Sequence, residues 1–188
     1  LRIDGGAARV SARGHQGQLS FDAGSGRVVA EDVTGDLEID NGSGGVEVTN
    51  VTGNRVKIET GSGGVRGTRV KAADLEVDVG SGGVDIDRVT AERAKFDAGS
   101  GSLSLEFLNS PRSLGVDTGS GGVSLTFPAA LSADLEVESG SGRITNDFAL
   151  TVDRLDRHSL RGRIGGGEGK LRVETGSGGV RITKKTTE

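Results

Sequence analysis

Residues 37–48 read Leu37-Glu38-Ile39-Asp40-Asn41-Gly42-Ser43-Gly44-Gly45-Val46-Glu47-Val48. Leu37 and Ile39 stand two apart, as do Val46 and Val48, with charged residues between them. This is the period of a strand with one face buried and one wet. A helix would space its apolar residues by three and four. The glycine run between the two short strands reads as a corner.

The same unit recurs along the chain. Gly-Ser-Gly begins at Gly24, Gly42, Gly61, Gly80, Gly99, Gly119, Gly140 and Gly176, in steps of 18, 19, 19, 19, 20, 21 and 36 residues, and Gly6-Ala7-Ala8 is a degenerate first copy. Aligned on the first glycine, four apolar columns appear. One runs Leu1, Leu19, Leu37, Val56, Leu75, Ala94 and Leu114, and another runs Val10, Val28, Val46, Val65, Val84, Leu103 and Val123. A single unit cannot bury its apolar row, but stacked units can. The expectation is an all-β, single-domain parallel β-solenoid over residues 1–188. It would have about ten rungs, a period near 19 residues and a length of roughly 45–50 Å at the strand spacing of about 4.8 Å.

Composition agrees. Glycine supplies 34 residues and proline two, with no strict Gly-X-Y period, which excludes collagen. A formal net charge of −4 argues against a nucleic-acid partner. There is no cysteine and no run of 18 apolar residues, so neither disulfides nor a membrane-spanning helix is expected. The chain begins at Leu1 and contains no methionine. This leads to the expectation that an export or anchor segment has been removed.

Two outward columns alternate in sign from unit to unit. They are Glu38, Lys57, Glu76 and Lys95, and Glu47, Arg66 and Asp85. Such alternation suits vertical neighbours on a parallel sheet. One column does not alternate. Asp4, Asp22, Asp40, Glu59, Asp78, Asp97, Asp117, Glu138 and Glu174 all stand two residues before the corner. Like charges in register repel. Two readings offset this: corner N–H groups bonding the carboxylates as a nest does, or a divalent cation shared between rungs. The first is preferred, and no metal or cofactor is assigned. The serine of each corner reads as a hydroxyl bonding nearby backbone. The corner glycines read as positions of positive φ and close approach.

No catalytic constellation emerges. Gly165-Gly166-Gly167-Glu168-Gly169-Lys170 lacks the first glycine and the final Ser or Thr of a phosphate loop. His15 and His158 have no partners for a triad, and eight equivalent serines are not one nucleophile. Regularity ends after Gly140, and residues from about 146 to 162 read as a longer loop or a displaced rung. Phe107, Phe127, Phe148, Leu150, Arg154 and Arg157 are the candidate partner-binding residues of these irregular parts. For the rings, ordinary corner packing is the preferred reading and a small apolar recognition patch the alternative.

The recurrent Asp/Glu-x-Gly-Ser-Gly-Gly-Val unit, with the closing stretch Leu160-Arg161-Gly162-Arg163-Ile164-Gly165-Gly166-Gly167 and Leu171 to Gly178, resembles the bacterial DUF4097 adhesin-like family. The resemblance implies a β-helical, toastrack-like domain of exported or membrane-anchored proteins, with no catalytic residues to carry over. The expected role is a non-catalytic, extracytoplasmic module of the cell envelope that binds a protein or glycan. The alternatives are a structural spacer or end-to-end self-associating scaffold, and, less favoured, a carbohydrate-active β-helix enzyme.

Overall fold

The computed structural model describes residues 1–185, which contain strands and connecting turns but no helix. The first strands are β1 (Arg2–Gly5), β2 (Val10–Arg13), β3 (Leu19–Ala23), β4 (Val28–Thr34) and β5 (Leu37–Asn41). Three long strands follow, β6 (Val46–Thr60), β7 (Val65–Val79) and β8 (Val84–Ala98), then β9 (Leu103–Phe107), β10 (Ser113–Thr118) and β11 (Val123–Phe127). All pairings among them are parallel. Val46, Val65 and Val84 are direct neighbours, as are Leu37, Val56 and Leu75. The sequence columns are therefore physical columns, and their side chains are buried.

Each coil has a third short leg. Val33, Val51, Val70, Val89 and Phe107 are in register and buried. The chain turns into this leg at Gly14, Asp32, Asn50, Arg69 and Arg88, all of which have φ between 54° and 67°. Thus β6, β7 and β8 bend through two legs without losing their ladder. The bend disappears in the sixth coil, where Leu105 and Phe107 face Ile86 and Val89 with one residue fewer between them. A non-glycine residue in the left-handed region costs about 1–2 kcal/mol. Glycine avoids this but loses more entropy on folding. Arg88 is exposed and forms no ion pair among the described residues. Arg88→Gly is expected to stabilise the protein by about 0.5–1 kcal/mol, read as a rise in the urea midpoint at unchanged slope.

Seven coils follow one another, starting at Leu1, Leu19, Leu37, Val56, Leu75, Ala94 and Leu114. Order then breaks. The remaining strands are β12 (Ala133–Ser139), β13 (Ile144–Asn146), β14 (Thr151–Leu155), β15 (Ser159–Ile164), β16 (Gly169–Thr175) and β17 (Val180–Lys184). β16 and β17 lie directly on β10 and β11, and β12 and β13 lie on their far side. The final coil is thus inserted between the seventh and the one that precedes it in sequence. Pro128–Ser132 is the connection that descends past the inserted layer. The expectation of about ten rungs is corrected to seven consecutive coils plus two layers in exchanged order. The 36-residue step from Gly140 to Gly176 holds no degenerate rung. It holds an antiparallel arm, with β15 on the outer edge of β12 and β14 on β15.

The glycines of the corners are needed for approach and not for handedness. None of the Gly-Ser-Gly glycines has φ in the left-handed region, contrary to half of the sequence expectation. A Cβ on Gly44, Gly63, Gly82 or Gly101 would lie within 1.8–2.2 Å of the carbonyl oxygen of the corner beneath.

Candidate functional site

The acidic column is real. Asp4, Asp22, Asp40, Glu59, Asp78, Asp97, Asp117, Glu174 and Glu138 are consecutive register partners in that spatial order. The nest reading of how they are tolerated is overturned. The corner amides are used between layers: Gly61 N donates to Asn41 O at 3.1 Å, and Ser62 N to Gly42 O at 3.3 Å. The serine hydroxyls do not bond backbone as expected either. Those side chains are exposed, and in the second to fifth coils it is the serine N–H that bonds the layer beneath.

What offsets the repulsion is the alternating column two residues earlier. Lys57 Nζ is 2.9 Å from Glu59, Lys95 Nζ is 2.6 Å from Asp97, Arg2 Nε is 2.8 Å from Asp4, and Arg172 pairs with Glu174. The hydrogen bonds to Glu59 and Asp97 hold the Lys57 and Lys95 ammonium groups above their ordinary pKa. Of the other layers, two carry a second acid, Glu38 with Asp40 and Glu76 with Asp78, as does the outermost, Glu136 with Glu138, while Ser20 and Gly115 leave Asp22 and Asp117 as single acids. The Glu38 and Glu76 layers are two layers apart, about 9–10 Å, which is close to a Debye length in physiological salt, and Arg55 lies 3.7 Å from Glu76. Among the described residues no group of three or more His, Cys, Asp or Glu is arranged to hold a metal.

A second column is compensated vertically. Arg93 Nε and Nη2 bond Asp74 Oδ1 and Oδ2 at 2.5 and 2.8 Å, and Arg163 bonds Asp134 at 2.7 Å. The hydrogen bond from Arg93 is the main cause that lowers the Asp74 carboxyl pKa, and the bond from Arg163 does the same for Asp134. Both pairs are exposed, so their stabilisation is small. A carboxylate held below its ordinary value contributes stability above the unfolded pKa. It loses that contribution as pH falls through the folded one. Stability should therefore fall as pH drops through and below about 4. Asp74→Asn should flatten the acid limb of the urea midpoint against pH.

The column just before the corner is buried wherever it is polar. Thr175 Oγ1 donates to Gly121 O at 3.1 Å and accepts from Gly178 N at 3.0 Å. Ser139 Oγ accepts from Gly142 N at 2.7 Å and donates to Gly178 O at 3.0 Å. These hydroxyls staple each corner to its neighbour. The sequence reading passed over them because Ala23, Val79 and Ala98 occupy the same column.

The candidate partner-binding residues divide. Phe107 and Phe127 are 0% exposed, their rings stacked at 5.1 Å and 16°, with Phe96 edge-on to Phe107 at 6.5 Å. Phe148 is 8% exposed and Leu150 packs against the core. The proposed apolar recognition patch is therefore core. Phe107 points inward because it continues the buried column of Val89, and Phe127 stacks on it from the next coil. Arg154 and Arg157 are exposed on the arm, where Arg154 Nε bonds Asp156 at 3.1 Å and Asp156 also accepts from His158 N at 3.1 Å. Beside them lie the exposed Val152 and Leu155. The arm brings Arg154, Asp156 and His158 to the last ladder acids, Asp117, Glu174 and Glu138, around an open recess of about 470 Å³.

The coiled parallel ladder, its glycine corners and its outward charge columns define a β-solenoid domain. Residues 6–183 match the Toastrack DUF4097 family, and the chain belongs to it. No curated protein and no solved structure matches it. No helix among the described residues is long and apolar enough to cross a membrane.

Proposed function

We propose that this domain is a non-catalytic binding module of the bacterial cell envelope, working outside the cytoplasm, that offers a long, repetitive polar face to an envelope protein or glycan. The observation that carries the reading is the in-register acidic ladder, which runs through every layer of the rod. It repeats one surface chemistry at every coil and gives no coil a distinct reactive centre. The hollows along the rod are open grooves, such as the one bounded by Arg55, Asp74, Glu76, Arg93 and Lys95. Catalysis on a glycan would call for two carboxylates set about 5–9.5 Å apart across a cleft.

The test is saturable binding of the purified protein to isolated envelope fractions. Changing Glu38, Asp40, Glu76 and Asp78 together to their amides is expected to weaken it severalfold and leave folding intact. Binding that never saturates, or that ignores these substitutions, would overturn the reading.

One observation favours the scaffold alternative. Among the described residues β1 and β2 pair on one side only, with β3 and β4, and an unpaired strand edge is a template for another strand. Concentration-dependent filaments seen by sedimentation, with no saturable envelope binding, would select that reading.

A further inference from the structure

The last coil occupies a slot that any copy of the same segment fits. β16 is paired on both edges, with β10 and with β12, and β17 is paired with β11 and with β13. Leu171 faces Leu114 on one side and Leu135 on the other, and Val173 faces Val116 and Val137. These are the contacts that consecutive coils make with each other throughout the rod. Nothing in the slot is complementary to this segment alone. Leu171, Val173, Val180 and Ile182 are all buried there, so both the segment and the slot expose apolar surface when they are apart.

The connection into the slot is a short glycine-rich crossing. Ile164 ends β15 and Gly169 starts β16, with Gly165, Gly166, Gly167 and Glu168 between them. Gly165 and Gly167 have φ of +57° and +74°. The crossing is tied by Gly166 N and Glu168 N to the Ser132 hydroxyl, at 3.1 and 3.4 Å. Gly169 passes so close to the Pro111 carbonyl that a Cβ would lie 2.4 Å from its oxygen. Residues 133–147, which close the slot, precede the inserted segment in the chain. The segment must therefore enter before they dock or after they part.

We infer that the slot between β10–β11 and β12–β13 is a strand-acceptor site that takes residues 169–184 of a second copy, giving a reciprocally strand-swapped dimer. The dimer keeps the contacts of the closed chain, and only the hinge path and the cost of association differ. Swapping is accordingly set by concentration while the slot is open. This inference is independent of the envelope reading.

The chain has no cysteine, so two single variants report the exchange. Ser113 and Lys170 are exposed register partners on β10 and β16. Parallel neighbours lie about 4.8 Å apart, which a disulfide spans. Ser113→Cys and Lys170→Cys chains are mixed unfolded, refolded together, oxidised and run without reductant. A covalent heterodimer is expected. The dimer-to-monomer ratio should rise about tenfold for a tenfold rise in protein concentration during refolding. A heterodisulfide yield no greater than that of the two variants folded apart and then mixed would overturn the inference.

Discussion

Gly63→Ala is expected to cost about 3 kcal/mol or more, while Gly45→Ala, one corner position and one coil away, should change stability by less than about 1 kcal/mol. The difference is steric. The Cβ added at Gly63 would lie 1.8 Å from Gly44 O, 2.5 Å from Gly44 C and 3.0 Å from Thr60 Oγ1, whereas the one at Gly45 would meet nothing nearer than Gly64 O at 3.7 Å. A flexible side chain could swing away, but here the obstacle is backbone fixed in a ladder above and below. The layers would have to separate locally, breaking hydrogen bonds such as Ser62 N to Gly42 O. Neither glycine has a left-handed φ, so conformational strain does not confuse the comparison. The chain has already made the second experiment. Position Gly45 is filled by Arg27, Ser102 and Arg143 in other coils, and the Gly63 position is glycine in every copy but the first. Urea midpoints of the two variants check the prediction, and equal midpoints would refute close approach as the reason for the motif.

Phe107→Ala should cost about 3–5 kcal/mol, the usual range for emptying a buried aromatic site. The ring stacks on Phe127 and meets Phe96 edge-on, so its removal leaves a void between two coils that cannot close without shifting both. The measurement also separates the two sequence readings of this residue. A surface recognition ring would leave the thermal midpoint in place and change only binding. A core ring lowers the midpoint, and any loss of binding follows from unfolding.

The coiled architecture was readable because stacking forces equivalent residues into columns, and columns show as a period. Leu37, Val56 and Leu75 declared themselves neighbours, and so did Glu38, Lys57 and Glu76. The third leg was less legible. Its buried column of Val33, Val51, Val70 and Val89 was present in the sequence, but the turn that precedes it falls on Arg69 and Arg88, which carry no turn signature. The exchanged order of the last layers could not be read from the period. Leu135 and Leu171 fit the same column equally well, and periodicity identifies equivalent segments without ranking them in space. The step of 21 residues from Gly119 to Gly140 was the trace of the descent past an inserted layer. For the candidate site, charge pattern revealed the ladder but not its compensation, which depends on which groups the corner amides had already engaged. The phenylalanines left two readings open because an interruption of the repeat looks alike in sequence whether its rings face inward or outward, and the preferred one, corner packing, is what their burial shows.

The interlocked end restricts how relatives of this rod can vary in length. Coils one to five touch only the coil before and the coil after, so duplicating or deleting one of them shifts the rest along the axis and disturbs nothing else. The descending connection, the arm and the returning coil hold one another in place and have no such freedom. Gene-level growth of this domain is therefore confined to its first half, and its terminal block must be inherited whole.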